Sequence, residues 1–163
     1  MSGQKHFNKI YNEYHKMVRN VLFNMTGQDV LDDLTQETFI RIWAGLPRFA
    51  LRSSIQTWIY RITVNTATDH LRKKKSMNNL DSELKEKSTE NSSPEVSYTE
   101  IISEALSGLE DDFRVVVVLF YFEELSIKQI AKILELPEGT VKSRMHNAKK
   151  KMQDFFSKKG VSL

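Results

Sequence analysis

Two sets of side chains in this sequence have the types and spacing to bind nucleic acid. The first lies near the C-terminus, where Lys142, Ser143, His146, Asn147 and Lys150 share one side of a stretch. The other side of that stretch, Val141, Met145, Ala148, Met152 and Phe155, is apolar at helical steps. Lysine meets phosphate through its charge, while short polar groups such as Ser, His and Asn can reach base edges in a major groove. The second set is Thr57, Arg61, Asn65, Thr68 and Arg72, at steps of four and three and therefore on one helix face. Trp58 and Tyr60 stand beside it, and a basic run follows from Arg72 to Lys75. Hydrogen-bonding groups next to aromatic rings suit a single strand, whose unstacked bases pack on rings. Trp58 also shares the stripe of Ile55, Ile59 and Ile62, and core is the simpler reading of it.

Catalytic chemistry has little to work with. The chain has no cysteine, which excludes disulfides, zinc fingers and thiol nucleophiles. The histidines His6, His15, His70 and His146 are scattered without metal-ligand spacing, and no glycine loop of phosphate-cradling type occurs. The expectation is a protein that is not an enzyme and takes no metal or cofactor.

Charge is segregated although the net charge is only +3. HLRKKK (residues 70–75) is purely basic, whereas from residue 76 to 112 Lys85 and Lys87 alone oppose a series of acids ending in Glu110, Asp111 and Asp112. The sign flips again after Ser126. Such blocks fit either two polyanion-binding surfaces or solvated helix faces. The first twenty residues lack the apolar core of a signal peptide. The longest apolar run, Val115 to Phe122, falls far short of the ~20 residues that span a bilayer. A soluble, cytoplasmic protein without membrane insertion is expected.

The elements that position these residues read as helices, since glycine (6) and proline (3) are scarce among 163 residues. Phe7, Ile10, Tyr11, Tyr14, Val18, Val21, Leu22 and Met25 predict a first helix, ended at Thr26-Gly27. A second helix is expected over 30–44 and is broken by Gly45-Leu46-Pro47; a loop, RFALRSS, follows. A third runs from Ser54 to about Lys75, with Ile55, Trp58, Ile59 and Ile62 as its core stripe. Residues 76–97 are too polar to offset their ordering entropy and read as a flexible linker. VVVVLFYF (residues 115–122) is strand-like by propensity, but no second strand exists to pair with it, so a buried helix is expected. Ser126 and Gln129 form a capping-box start for the next helix, whose Ile127, Ile130, Ala131 and Leu134 face inward. Leu136-Pro137 ends that helix, and the proline suits the first turn of the one after it. An ordinary helical hairpin would show the same periodicity. The short turn, small Ala131 at the crossing and the polar-basic free face favour a DNA-binding helix-turn-helix.

Three blocks carry a resemblance. DLTQETFIRIW (residues 33–43), TWIYRITVNTATDHLRKKK (residues 57–75) and LSIKQIAKILELPEGTVKSRMHNAKKKM (residues 125–152) resemble the extracytoplasmic-function sigma factors of bacterial RNA polymerase, in that family's order and spacing. The resemblance implies an all-α protein of two small domains: a region 2 domain at 5–75 and a region 4 domain at 98–159, joined by the 76–97 linker. It implies promoter-directed transcription initiation in a stress or envelope-signal response, with RNA polymerase core, promoter DNA and an anti-sigma factor as partners. Core docking would fall on Asp33, Gln36, Glu37 and Arg41. The melted −10 strand would fall on Phe49, Arg52, Ser53, Arg61, Asn65, Thr68 and Arg72. The duplex −35 element would fall on Thr140, Lys142, Ser143, His146, Asn147 and Lys150. Some departures from the family stand out, among them a loop, RFALRSS, more apolar than many. Val30 and Leu31 interrupt the acidic cluster that often precedes the first block, and His146 and Asn147 replace an aromatic and an arginine. Another helix-turn-helix regulator would leave the first two blocks unexplained, and a module that only bridges proteins would not need the basic face.

Overall fold

A computed structural model describes residues 2–50, 52–81 and 97–161. Among them stand seven α-helices: α1 (Ser2–Thr26), α2 (Leu31–Gly45), α3 (Ile55–Asp81), α4 (Tyr98–Ser107), α5 (Asp111–Val117), α6 (Ile127–Leu134) and α7 (Glu138–Lys158). Residues 82–96, most of the expected linker, lie outside the described residues. Helix α3 continues to Asp81, past the expected end near Lys75.

Helices α1 to α3 pack around Val18, Val21, Leu22, Met25, Ile42 and Ile59. Gly27 closes α1 at φ 86°, a left-handed turn that glycine adopts without Cβ strain. No side chain caps α2, and Asp32 and Asp33 in its first turn complement the dipole there. Thr35, Thr38, Thr63 and Thr66 are buried where α2 and α3 pack, and each hydroxyl donates to the carbonyl four residues back. The polar atoms are satisfied within their own helix, so these faces can pack as if apolar.

The stripe expected to bury α3 is displaced. Ile59, Tyr60, Val64, Ala67 and Leu71 are buried, whereas Ile55, Trp58 and Ile62 are only partly so. The reason is that α3 has two sets of neighbours, α1 and α2 on one side and α5 and α6 on another. The second set covers positions that a three-helix core alone would leave open.

VVVVLFYF is helical, as its surroundings required. Val115 to Val117 close α5, and Val118–Phe122 continue as a wider π-helical turn, in which the Glu123 N–H reaches the Val118 carbonyl at 3.3 Å. Val115 through Leu119 are all buried. Burying a Val or Leu side chain contributes about 1.5–3 kcal/mol, against a helix-propensity penalty below ~1 kcal/mol per residue. Burial therefore decides the conformation.

Helix α6 starts on the expected capping box: the Gln129 N–H donates to Ser126 Oγ, and the Ser126 N–H to Gln129 Oε1. It ends at Glu135, which takes the left-handed conformation at φ 55°. Pro137 stands one place earlier than expected, at the N-cap of α7, where its carbonyl accepts from Thr140 and Val141. Val141, Met145 and Ala148 are buried on α7, and further along Phe156 is buried while Phe155 is only half-buried.

Candidate nucleic-acid interface

The outer face of α7 is open. Lys142, Ser143, His146, Asn147 and Lys150 are exposed, and Thr140 is half-buried at the helix start. The other cations of this helix are mostly engaged. Arg144 pairs with Asp112 at 2.7 Å, Lys151 with Glu110 at 2.6 Å, and Lys149 lies over the Tyr121 ring. Among the described residues no carboxylate lies within ion-pair distance of Lys142 or Lys150. The capping box and the left-handed Glu135 turn fix how α7 leaves α6, and the buried Val141–Met145–Ala148 stripe fixes its rotation. Two free ammonium groups flanking three short polar side chains can neutralise phosphates and address base edges together.

The polar face of α3 has a different setting. Asn65 and Arg72 are exposed, and Thr57, Arg61 and Thr68 are half-buried. The Thr68 hydroxyl donates to the Val64 carbonyl, and Thr57 shares a bond with Ser54. Arg61 is occupied. Its Nη2 donates to the Lys132 carbonyl at 2.8 Å and its Nε to the Ile133 carbonyl at 3.2 Å, while Nη1 lies 3.3 Å from Glu135. Beside it, a cavity of about 500 Å³ separates Asn65, Thr68 and Arg72 from Asp111, Asp112 and Arg144. Phe49 leans on Trp58 with the rings tilted by 36° and their centroids 4.9 Å apart, while Arg52 is exposed and Ser53 half-buried. A Cβ at position 45 would stand 2.8 Å from Trp58 Cζ2, so glycine there admits the indole. Tyr60, which the sequence sets beside the polar face of α3, is buried and donates to Glu123 at 2.8 Å. Burial pushes the Glu123 carboxyl above its usual range, and the Tyr60 bond works against that shift.

A third surface lies on α2. Asp33 and Gln36 are exposed at its edge, and Glu37 pairs with Arg41 at 2.6 Å. Arg41 also holds Asp69 of α3 at 3.0 Å, and these carboxylates raise its pKa. Sequence reasoning missed the apolar part of this surface. Ile40 is 60% exposed and Trp43 48%, and a groove of about 480 Å³ beside Gln36 is lined by Tyr11, Phe39, Ile40 and Trp43. The signal was present in the sequence, since Ile40 falls off the buried stripe of Leu34, Phe39 and Ile42.

Residues 10–77 match the model of Sigma-70 region 2, and residues 99–152 match that of Sigma-70, region 4. The ECF RNA polymerase sigma factor SigW of Bacillus subtilis is 31% identical over 159 residues, covering 89% of this chain and 81% of SigW. The chain belongs to the ECF sigma factors. The ECF RNA polymerase sigma-E factor of Escherichia coli K12 is 32% identical over 160 residues, covering 90% of this sigma factor and 84% of the relative. The fold agrees with the sigma factor RpoE in its complex with the anti-sigma factor NepR from Bartonella quintana, at a TM-score of 0.75 and 22% identity over 94% of this chain and 98% of that one. It also agrees with CnrH in complex with the cytosolic domain of CnrY, at a TM-score of 0.70 and 19% identity over 94% and 89% of the two chains.

As a member of this family the protein binds RNA polymerase and directs transcription initiation at promoters; sigma factors are initiation factors and not enzymes. Among the described residues no helix is long and apolar enough to cross a membrane.

Proposed function

We propose that this sigma factor divides promoter recognition between its two ends, in the cytoplasm and in response to stress or envelope signals. Residues 5–75 form the unit that docks on polymerase core and holds the melted −10 strand. Residues 98–159 form the unit that reads the duplex −35 element, and residues 76–97 join the two. The observation that carries the reading is the outer face of α7, where Lys142 and Lys150 are unpaired on either side of Ser143, His146 and Asn147. Arg144, Lys149 and Lys151 are engaged within the chain, whereas Lys142 and Lys150 beside the short polar groups are available to an external polyanion.

On this reading Asn147 and His146 face base edges with Ser143, Thr140 supports them at the helix start, and Lys142 and Lys150 hold phosphates. The −10 strand lies along Phe49, Arg52, Ser53, Arg61, Asn65, Thr68 and Arg72. Core polymerase meets Asp33, Gln36, Glu37 and Arg41, with Ile40 and Trp43 supplying apolar area beside these polar groups. An anti-sigma factor belongs among the partners. Support comes from the fold shared with a sigma factor crystallised with its anti-sigma factor.

The test is in vitro transcription with core polymerase on a pooled promoter library. Asn147→Ala should relax preference at one or two −35 bases, since a bidentate asparagine–adenine contact contributes about 1–3 kcal/mol of discrimination. An unchanged base preference would remove Asn147 from the reading face.

A further inference from the structure

Phe49 is the one aromatic side chain among the residues proposed to meet the −10 strand. It belongs to no α-helix: the tight turn Leu46–Arg48 precedes it, and α3 begins at Ile55. Hydrogen bonds tether the chain on either side of it. The Phe49 N–H donates to the Leu46 carbonyl at 3.2 Å. The Thr57 and Trp58 N–H groups donate to Ser54 Oγ and the Ser54 carbonyl, each at 3.1 Å. These bonds hold backbone, and none of them sets the direction of the Phe49 ring, which turns about its own side-chain torsions. What the ring rests on is the Trp58 indole, with centroids 4.9 Å apart and planes tilted by 36°.

The indole is itself held by what it lies against. Trp58 is half-buried at the edge of the core, and its six-membered ring lies over Gly45 at the end of α2. A Cβ at position 45 would stand 2.8 Å from Cζ2 and 3.4 Å from Cη2. The first of these is closer than carbon atoms pack. Gly45 has φ −85° and ψ −23°, right-handed helical backbone that any residue adopts. In such backbone alanine is more favourable than glycine. The backbone therefore gives no reason for glycine at position 45, and the indole does. Gly45, Trp58 and Phe49 thus form a line of contacts from the end of α2 to the loop ahead of α3.

We infer that Trp58 is a positioning residue for −10 strand recognition: its indole, admitted by Gly45, aims the Phe49 ring and does not itself meet the DNA. The inference rests on the proposed assignment of Phe49 to the −10 strand. A ring that stacks on an unpaired base binds more weakly when it can turn away, because the turned-away forms do not bind. Resting on a second ring removes part of that freedom before the strand arrives. A ring pair at this distance also attracts beyond the area it buries, which favours the seated form.

In vitro transcription with core polymerase and the full chain tests this on two promoter libraries, one with −10 bases varied and −35 fixed, the other the reverse. Phe49→Ala removes the ring and should cut preference at one −10 base about tenfold, the scale of one lost ring–base stack. Gly45→Ala leaves every proposed DNA-facing side chain intact and puts a methyl group in the indole's seat. It should cut preference at the same base about threefold, part of the loss that removing the ring produces. In the double variant Gly45→Ala should add nothing, because it acts through a ring already gone. Neither single variant should move −35 preference, and a shift there in Gly45→Ala would count against the inference. A −10 profile that Phe49→Ala alters and Gly45→Ala does not would overturn the positioning role and leave the strand assignment standing. An equal Gly45→Ala loss with and without Phe49 would also overturn it, since the indole would then act on the strand directly. An unaltered −10 profile in Phe49→Ala would remove Phe49 from the strand, and the inference with it.

Discussion

Helices α3 and α7 carry related sets of polar and cationic side chains on one long face, yet the fold engages part of the first and leaves the second open. On α7, Lys142, Ser143, His146, Asn147 and Lys150 look outward, and α6 packs only on the apolar side. On α3, Arg61 is bonded to two carbonyls of α6, and Asn65, Thr68 and Arg72 border a cavity walled by Asp111 and Asp112. On the proposed assignment the difference matches what each would bind. Duplex DNA presents its groove edges without rearrangement, so a duplex reader can stand ready. On the proposed assignment α3 would meet a strand that exists only after the promoter opens, and of its polar face Arg61 is engaged while Asn65 and Arg72 stay exposed.

The comparison breaks most completely at Arg114. Exposed ion pairs such as Lys75–Asp111 contribute roughly 0–1 kcal/mol each, whereas a buried guanidinium with four carbonyl acceptors is far harder to replace. Burial pulls its pKa below the usual arginine value, with nearby Asp111 opposing. Arg114→Leu strands several carbonyls at about 1–3 kcal/mol each. It should lower the urea midpoint more than any exposed substitution does. Arg114→Lys should not restore it, because a single ammonium cannot span the fork. Urea unfolding of the three proteins checks this, and a lysine variant as stable as the parent would show that charge alone suffices.

A smaller effect sharpens the α7 side. Lys150→Ala should weaken binding to duplex promoter fragments about equally on every sequence. It should also reduce the slope of log affinity against log salt by about 1. Fluorescence anisotropy across a salt series measures both. A loss confined to one sequence would make Lys150 a base reader.

Much of the α7 side was legible in the sequence because its determinants are local. The Ser126–Gln129 capping box, the short turn and the Val141–Met145–Ala148 stripe lie within a few residues of what they control. The contacts between the two ends of the chain were not legible. Arg114 reads as one more charge in DDFR, and only the arrival of Met25, 89 positions away, shows what it binds. Tyr60 reads as a base-stacking ring until Glu123 is seen against it. Spacing alone places Ile55, Trp58 and Ile62 in the core, and it does not reveal that α5 and α6 cover another side of α3. The wider turn at Val118–Phe122 and the left-handed Glu135 likewise depend on tertiary burial and close packing rather than on residue type.

The central claim is that α7 meets duplex and α3 meets single strand in the same complex. Site-specific photocrosslinking tests it most directly. A photoreactive group replaces Asn147 in one protein and Asn65 in another, each is assembled with core polymerase on an open promoter, and the crosslinked bases are mapped. The account predicts crosslinks from position 147 to the duplex −35 element and from position 65 to one strand of the melted −10 segment. Crosslinks from both positions to the same segment, or from position 65 to duplex alone, would contradict it.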